Sequence, residues 1–370
     1  VDNFDALRIG AALLVIVGHS FVLTGQGHPP SIFGIRIDAL GLAVFFSLSG
    51  YMIVQSWERL QRWGRFLWHR SLRIFPALWV MLLLTVLVVG PVLSNSGDTI
   101  VTRLQNYFGT GEPWKYLAAG AVLSPDYHIL GMFEAGPEAM HEHVRSTING
   151  SLWTLGVEFC CYIALALVAW TLRRRGALGF ALLAIGIAVA TEAASMNPDL
   201  KAVANAGTVA VYFAVGALIG SLRNRLPRSG WFTIALPITW GAAYLLSPPT
   251  AQVIAWLFVP LIVITFGRRS TPVLRRAARF GDLSYGTYLW GFLVQQVVIQ
   301  VVGVVPLALN NALVITATAA VAFLSWRFIE APALSLKNVD PPTRIPALRN
   351  IAPLVPVSGF ASDSSHRTSG

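Results

Sequence analysis

DALRIGAALLVIVGHSFVLTG, residues 5–25, is an apolar run long enough to cross a bilayer, interrupted by three ionisable side chains, Asp5, Arg8 and His19. Lipid offers the backbone no hydrogen-bond partner, so such a run is read as a helix whose amides bond internally. It lacks a basic leader and a small-residue cleavage site after His19, which makes it a retained span rather than a signal peptide. Nine further runs follow, at 39–56, 73–93, 151–170, 177–193, 204–222, 231–247, 251–267, 283–304 and 311–329. Together they predict an all-α polytopic membrane bundle of about ten transmembrane helices.

Composition agrees. Of 370 residues, 55% are hydrophobic and 12% charged, with a mean hydropathy of +0.62. That charge share is about half of what a soluble domain carries, which excludes soluble multi-domain enzymes, disordered chains and secreted disulfide scaffolds. Cys160 and Cys161 are adjacent inside an apolar run and have no other cysteine to pair with. The formal charge of +10 falls in short clusters between apolar runs, never along an aromatic-rich groove, so no nucleic-acid partner is expected.

Those clusters orient the chain. Arginines group after the second run (Arg59, Arg62, Arg65, Arg70, Arg73), the fourth (Arg173 to Arg175), the sixth (Arg223, Arg225, Arg228) and the eighth (Arg268, Arg269, Arg275, Arg276, Arg279). The alternate loops hold only Arg36, Arg103, Lys115, Arg145 and Lys201. The positive-inside rule then predicts a multi-pass protein of the inner (cytoplasmic) membrane, with the rich loops and both termini in the cytoplasm. Residues 1–335 read as one transmembrane domain and 336–370 as a flexible cytoplasmic tail, rich in Pro, Ser and Arg from Asp340 onward. The outside segment 94–150 reads as a loop with short helices over the bundle mouth. His128, His141, Glu142 and His143 lie within it at spacings that do not specify a metal site, and no metal is expected. No internal repeat of the transporter kind is present.

Ionisable groups in a span cost a few kcal/mol, so function is sought there first. At about 100° per residue, Arg8 and His19 return to within about 20° of each other, and Asp5 lies within about 60° of Arg8, giving one polar stripe. At about 1.5 Å per residue, His19 and Glu158 of the fourth run both sit roughly 10 Å below the outer edge. A His and carboxylate pair at one level suits acyl transfer. The neutral imidazole takes a proton from an acceptor hydroxyl attacking a thioester, and the carboxylate orients the ring. The alternative for His19 is a packing histidine hydrogen-bonded to a neighbouring helix.

FDALRIGAALLVIVGH at 4–19, an Arg followed eleven positions later by a His, resembles the opening signature of the membrane-bound acyltransferase 3 family. Further blocks similar to that family follow in order: GLAVFFSLSGYMI at 41–53, FLWHRSLRIFPALW at 66–79, SLWTLGVEFCCY at 151–162, LSYGTYLW at 283–290 and WRFIEAPAL at 326–334. The resemblance spans roughly residues 4–334. It implies ten transmembrane helices and transfer of an acyl group, commonly acetyl, from acetyl-CoA or another acyl-CoA to a hydroxyl of a glycan or glycolipid. Other readings are a tailoring acyltransferase acting on a small hydroxylated secondary metabolite and, from another class, a transporter or flippase. Membrane lipids surround the chain in each.

By that resemblance, His19 is the base, Arg8 fixes geometry or receives the donor, and Asp5 matches an acidic position of the same block. Glu158 matches the acidic residue after the Trp block. Arg70 and Arg73, at i and i+3 on a helix start, match arginines suited to coenzyme A phosphates. As alternatives, those arginines are plain positive-inside anchors and Glu158 makes a structural hydrogen bond. Ala43 and Gly291 depart from the family pattern, standing where relatives often have Asp and His.

Overall fold

Every one of the ten apolar runs forms a helix in the computed structural model, which describes residues 3–94, 97–124, 132–133, 147–172, 176–225, 231–274, 279 and 281–339. In chain order the long helices begin with α1 (Phe4–Thr24), α2 (Ile37–Leu60) and α3 (Trp63–Leu84). Two short helices follow, α4 (Ile100–Gly109) and α5 (Glu112–Ala121), and then α6 (Trp153–Thr171), α7 (Gly176–Ser195) and α8 (Lys201–Ser221). The series closes with α9 (Phe232–Leu246), α10 (Pro248–Gly267), α11 (Ser284–Val302) and α12 (Leu307–Ser325).

Among the described residues, eight helices are long and apolar enough to cross a membrane. The other two expected spans are α9, with 15 residues, and α11, whose 19 residues include Ser284, Thr287, Gln295 and Gln296. The two short helices fall in the segment expected to carry them, and α4 is tied to the π turn Thr85–Val89 that continues α3 by the Tyr107 hydroxyl donating to the Val86 carbonyl at 3.2 Å. His128, His141, Glu142 and His143, and the tail from Asp340, lie outside the described residues.

The outer faces are apolar, as lipid requires: Leu182, Ile185 and Val189 of α7 and Ile234, Ile238 and Leu245 of α9 are exposed at helical spacing. Polar side chains turned inward bond to neighbouring helices, as Gln295 Nε2 does to the Ile16 carbonyl of α1 at 2.7 Å. The centre of the bundle is α2, which packs on α1, α8, α10, α6 and α3. Small residues make the closest of these contacts: a Cβ on Gly50 would fall onto the Phe213 carbonyl of α8, and one on Gly216 onto the Ser47 carbonyl of α2. Without hydrophobic drive inside lipid, such backbone approach supplies the packing energy between helices.

Three local departures from regular helix position the site. The α3 helix starts at Trp63, ten residues before the expected span, so Arg70 and Arg73 sit on a rigid helix rather than in a loop. A π turn, Trp326–Glu330, follows α12 and turns Glu330 into the interior, where the Ser325 hydroxyl donates to it at 2.9 Å. Between α1 and α2, strands β1 (Ser31–Ile32) and β2 (Ile35–Arg36) pair antiparallel. Their two-residue turn has positive φ at Phe33 (46°) and Gly34 (82°), the backbone of a type I′ hairpin.

Candidate active site

The inward side chains of α1 open onto two cavities. Nearer the start of α1, where the arginine clusters lie, a cavity of about 260 Å³ is lined by Arg8, Arg59, Arg70, Arg73 and Lys337, with only Glu158 and Asp282 as carboxylates. Among the described residues, five cations against two carboxylates give this cavity a net positive field. Nearer the end of α1, a cavity of about 530 Å³ is lined by His19, Asp38, Trp153, Asn205, Gln252 and Trp256, among others. Leu42 and Tyr288 line both, so these two side chains stand between the basic cavity and the histidine cavity. The Tyr288 hydroxyl is held by the Ser151 carbonyl at 3.0 Å and by Thr154 Oγ1 at 2.6 Å.

In the basic cavity the guanidinium groups differ in their commitments. Asp282, just before α11, accepts from Arg8 Nη1 at 3.1 Å and from Arg73 Nη2 at 2.6 Å. Arg73 Nη1 also stands 3.8 Å from Glu330 Oε2. Burial opposes ionisation of Asp282, but Arg73 and then Arg8 outweigh it and hold the carboxyl well below the usual carboxylate range. Arg70 is different. It ion-pairs with no described carboxylate; Nη2 reaches Ser56 Oγ at 3.4 Å, and Nε is buried without an acceptor. The guanidinium carbon lies over the Tyr162 ring, 6.0 Å from its centroid.

In the histidine cavity the ring of His19 meets Phe292 edge-on at 5.1 Å and makes no hydrogen bond to a described side chain or carbonyl. Asp38, in the first turn of α2, is buried on the same cavity wall. Arg36 grips Asp38 with two hydrogen bonds, Nε to Oδ1 at 3.0 Å and Nη2 to Oδ2, and this bonding pushes the Arg36 guanidinium above its ordinary value.

The residues singled out from the sequence divide between these places. His19 faces one cavity, and Arg8, Arg70, Arg73 and Glu158 face the other. Asp5, half-buried at the start of α1, lines neither. The pairing of Glu158 with His19 expected from their depth does not form. Glu158 Oε1 accepts instead from the Ser49 hydroxyl at 2.9 Å and from the Tyr162 hydroxyl. Equal depth on two helices leaves open which way each faces, and α6 turns Glu158 toward the arginines.

Sequence reasoning passed over Asp38, Arg36, Asp282 and Tyr288. The signal for Asp38 was an acidic residue at the mouth of an apolar run, the usual mark of a helix first turn. Of the two departures, Ala43 is fully buried. At Gly291 a Cβ would stand 2.8 Å from Ile16 Cγ1, so α1 and α11 close the space an imidazole would need. The described residues contain no cluster of ligand-bearing side chains able to hold a metal ion.

Comparison with known proteins places these features in context. The profile of the family described as an acyltransferase domain matches residues 1–328. Nodulation protein 10 of Rhizobium leguminosarum bv. viciae is 30% identical over 361 residues, covering 91% of this chain and 94% of that protein. An O-acetyl transferase of Shigella phage Sf6 is 28% identical over 362 residues, covering 90% of this chain and 98% of the phage protein. No solved structure matches.

Proposed function

Since the chain belongs to the acyltransferase domain family and is a multi-pass membrane O-acyltransferase, we propose that its donor is an acyl-CoA, acetyl-CoA foremost, and its acceptor a hydroxyl of a glycan or glycolipid. The observation that carries this reading is the shared wall. A basic cavity whose Arg70 has no ion pair to a described carboxylate abuts, at Leu42 and Tyr288, a cavity lined by an imidazole with no hydrogen bond to the described residues.

Arg70 takes donor phosphate, while Arg73 and Arg8, braced by Asp282, define the cavity around it. From Arg8 to His19 is about 16 Å along the helix axis, a distance an extended pantetheine arm covers. The thioester then reaches Tyr288 while the acceptor enters from the opposite face. His19 removes the hydroxyl proton as the oxygen attacks the thioester carbonyl. The new C–O ester bond forms, the C–S bond breaks, and His19 returns its proton to the departing thiolate. Glu158, through Ser49 and Tyr162, orders the wall along which the arm lies. Asp5, which lines neither cavity, is assigned no step in this scheme.

Charge distribution supports the orientation: the arginine-rich end faces the cytoplasm, where acyl-CoA is made, in the cytoplasmic membrane of a bacterium. Trp153 and Trp256 with Asn205 and Gln252 give the histidine cavity aromatic faces and amides suited to a sugar ring. The test has two arms. Purified protein in lipid nanodiscs, given acetyl-CoA and envelope glycan, releases free thiol, and His19→Ala abolishes the release. Mass spectrometry of cells with and without the protein shows an acetyl ester gained on an envelope glycan. An ester gained instead on a small metabolite transfers the acceptor assignment to that class, and full-rate transfer by His19→Ala refutes the role of the ring.

A further inference from the structure

The carboxylate that shares a cavity with His19 is one that neither charge counting nor helix depth singled out. Asp38 is brought there by two independent contacts. On one side α1 lies directly on the start of α2 at Gly18, where a Cβ would stand 2.6 Å from Asp38 Cβ and 3.0 Å from its backbone nitrogen. His19, the next residue in the chain, is thereby held beside Asp38. On the other side the β1–β2 hairpin presents Arg36 to the carboxylate. That hairpin is itself docked: Phe33 at its tip meets Trp240 of α9 edge-on at 5.1 Å, and the Ile37 amide donates to the Pro30 carbonyl at 3.0 Å.

The pair is asymmetric. The Arg36 side chain is 55% exposed and that of Asp38 only 9%. The anion is therefore the better shielded from water, on the cavity wall it shares with the ring, while the cation is open to solvent, where its field is more strongly screened. The other titratable groups on the cavity wall are Lys201 and Tyr212 of α8 and Tyr288 of α11. Lys201 is exposed at the first residue of α8, and Tyr288 is already bonded to Ser151 and Thr154. None of these supplies a second anion.

We propose that Asp38, gripped by Arg36, is a positioning residue for His19: it steadies the ring and stabilises the imidazolium that forms when the acceptor proton arrives, while Arg36 offsets enough of its charge to leave the resting ring neutral. This rests on the reading of His19 as the base. A base must be unprotonated before reaction and stabilised when protonated, and a lone carboxylate would serve only the second need. The compensated pair serves both.

The test is the imidazole titration of His19, followed by 15N-histidine NMR of the full chain in lipid nanodiscs and assigned by the signal lost in His19→Gln. Asp38→Asn removes the anion and leaves the cation, so the titration moves down. Arg36→Gln frees the anion, so it moves up. A shift of about one pH unit in each direction is expected for groups a few ångströms away, the Arg36 effect being the smaller. Arg36→Lys, which keeps the charge, restores the wild-type value. Arg36 is exposed, so its variants fold even if Asp38→Asn does not. Shifts of the same sign, or none, overturn the proposal, as does Arg36→Lys behaving like Arg36→Gln. Acetyl-CoA turnover by His19→Ala is measured in parallel. If it is unimpaired, the base reading falls although opposite shifts still establish the pairing; if it is abolished and the titration never moves, Asp38 alone is dismissed.

Discussion

Replacing Arg70 by Ala weakens coenzyme A binding without unfolding the protein, and the structure supplies both halves of that expectation. In the free protein Arg70 has no carboxylate partner among the described residues, a 3.4 Å contact to Ser56 that is long for a hydrogen bond, and a guanidinium 6.0 Å from the Tyr162 ring. Truncation therefore removes a cation–π contact and one long hydrogen bond, roughly 1–2 kcal/mol of stability. With donor bound, the same group makes a charge-assisted hydrogen bond to phosphate, worth about 1.5–3 kcal/mol. Loss of that bond raises Kd roughly 10- to 150-fold. Arg73 is the internal control, because its removal strips one cation from Asp282 and the nearest one from buried Glu330. Breaking a buried ion pair costs about 3–5 kcal/mol, so Arg73→Ala lowers Tm further than Arg70→Ala does. The assay is calorimetric titration of coenzyme A into nanodisc-embedded protein, paired with thermal unfolding of each variant. Wild-type affinity in Arg70→Ala refutes the assignment of Arg70 to the donor phosphates.

Other expectations follow from the same geometry. The Asp282 carboxyl is held ionised by Arg73 and Arg8, so its contribution to stability is complete above the unfolded carboxyl value of about 3.9 and is lost as pH falls through the lower folded value. Thermal unfolding between about pH 2 and 6 shows a shallower acid limb in Asp282→Asn than in wild type; equal slopes contradict this. Glu158→Gln lowers turnover but leaves the His19 NMR titration in place, since Glu158 faces the other cavity; a titration that moves reinstates their pairing. Gly291→His does not enhance activity but destabilises the bundle by about 1–3 kcal/mol through overpacking against Ile16. The companion change Ile16→Ala recovers part of that loss, and a fully stable single variant would show that α1 and α11 are not in tight contact.

Much of the fold was readable along the chain. Hydropathy located all ten helices to within a few residues at most ends, because a bilayer demands that each crossing segment be apolar and internally bonded, and both demands are met locally. The larger error, at the start of α3, came from Arg65, Arg70 and Arg73, which interrupt hydropathy without interrupting helix. The hairpin at 31–36 was missed because its two-residue strands carry no periodicity to detect.

For the site, helical period put Arg8 and His19 on one stripe of α1, and each lines a cavity, since angle and rise along one helix are properties of that helix alone. Which cavity each would enter, and beside which carboxylate, was decided elsewhere. Glu158 goes to Ser49 and Tyr162, Asp282 arrives before α11 to join Arg8 with Arg73, and Asp38 reaches His19 through the contact at Gly18. These partners come from helices far apart in the chain, brought together where small side chains allow backbones to touch. Local composition sets what must lie in the membrane and which face turns inward; only the packing of one helix on another chooses the partner of each buried charge.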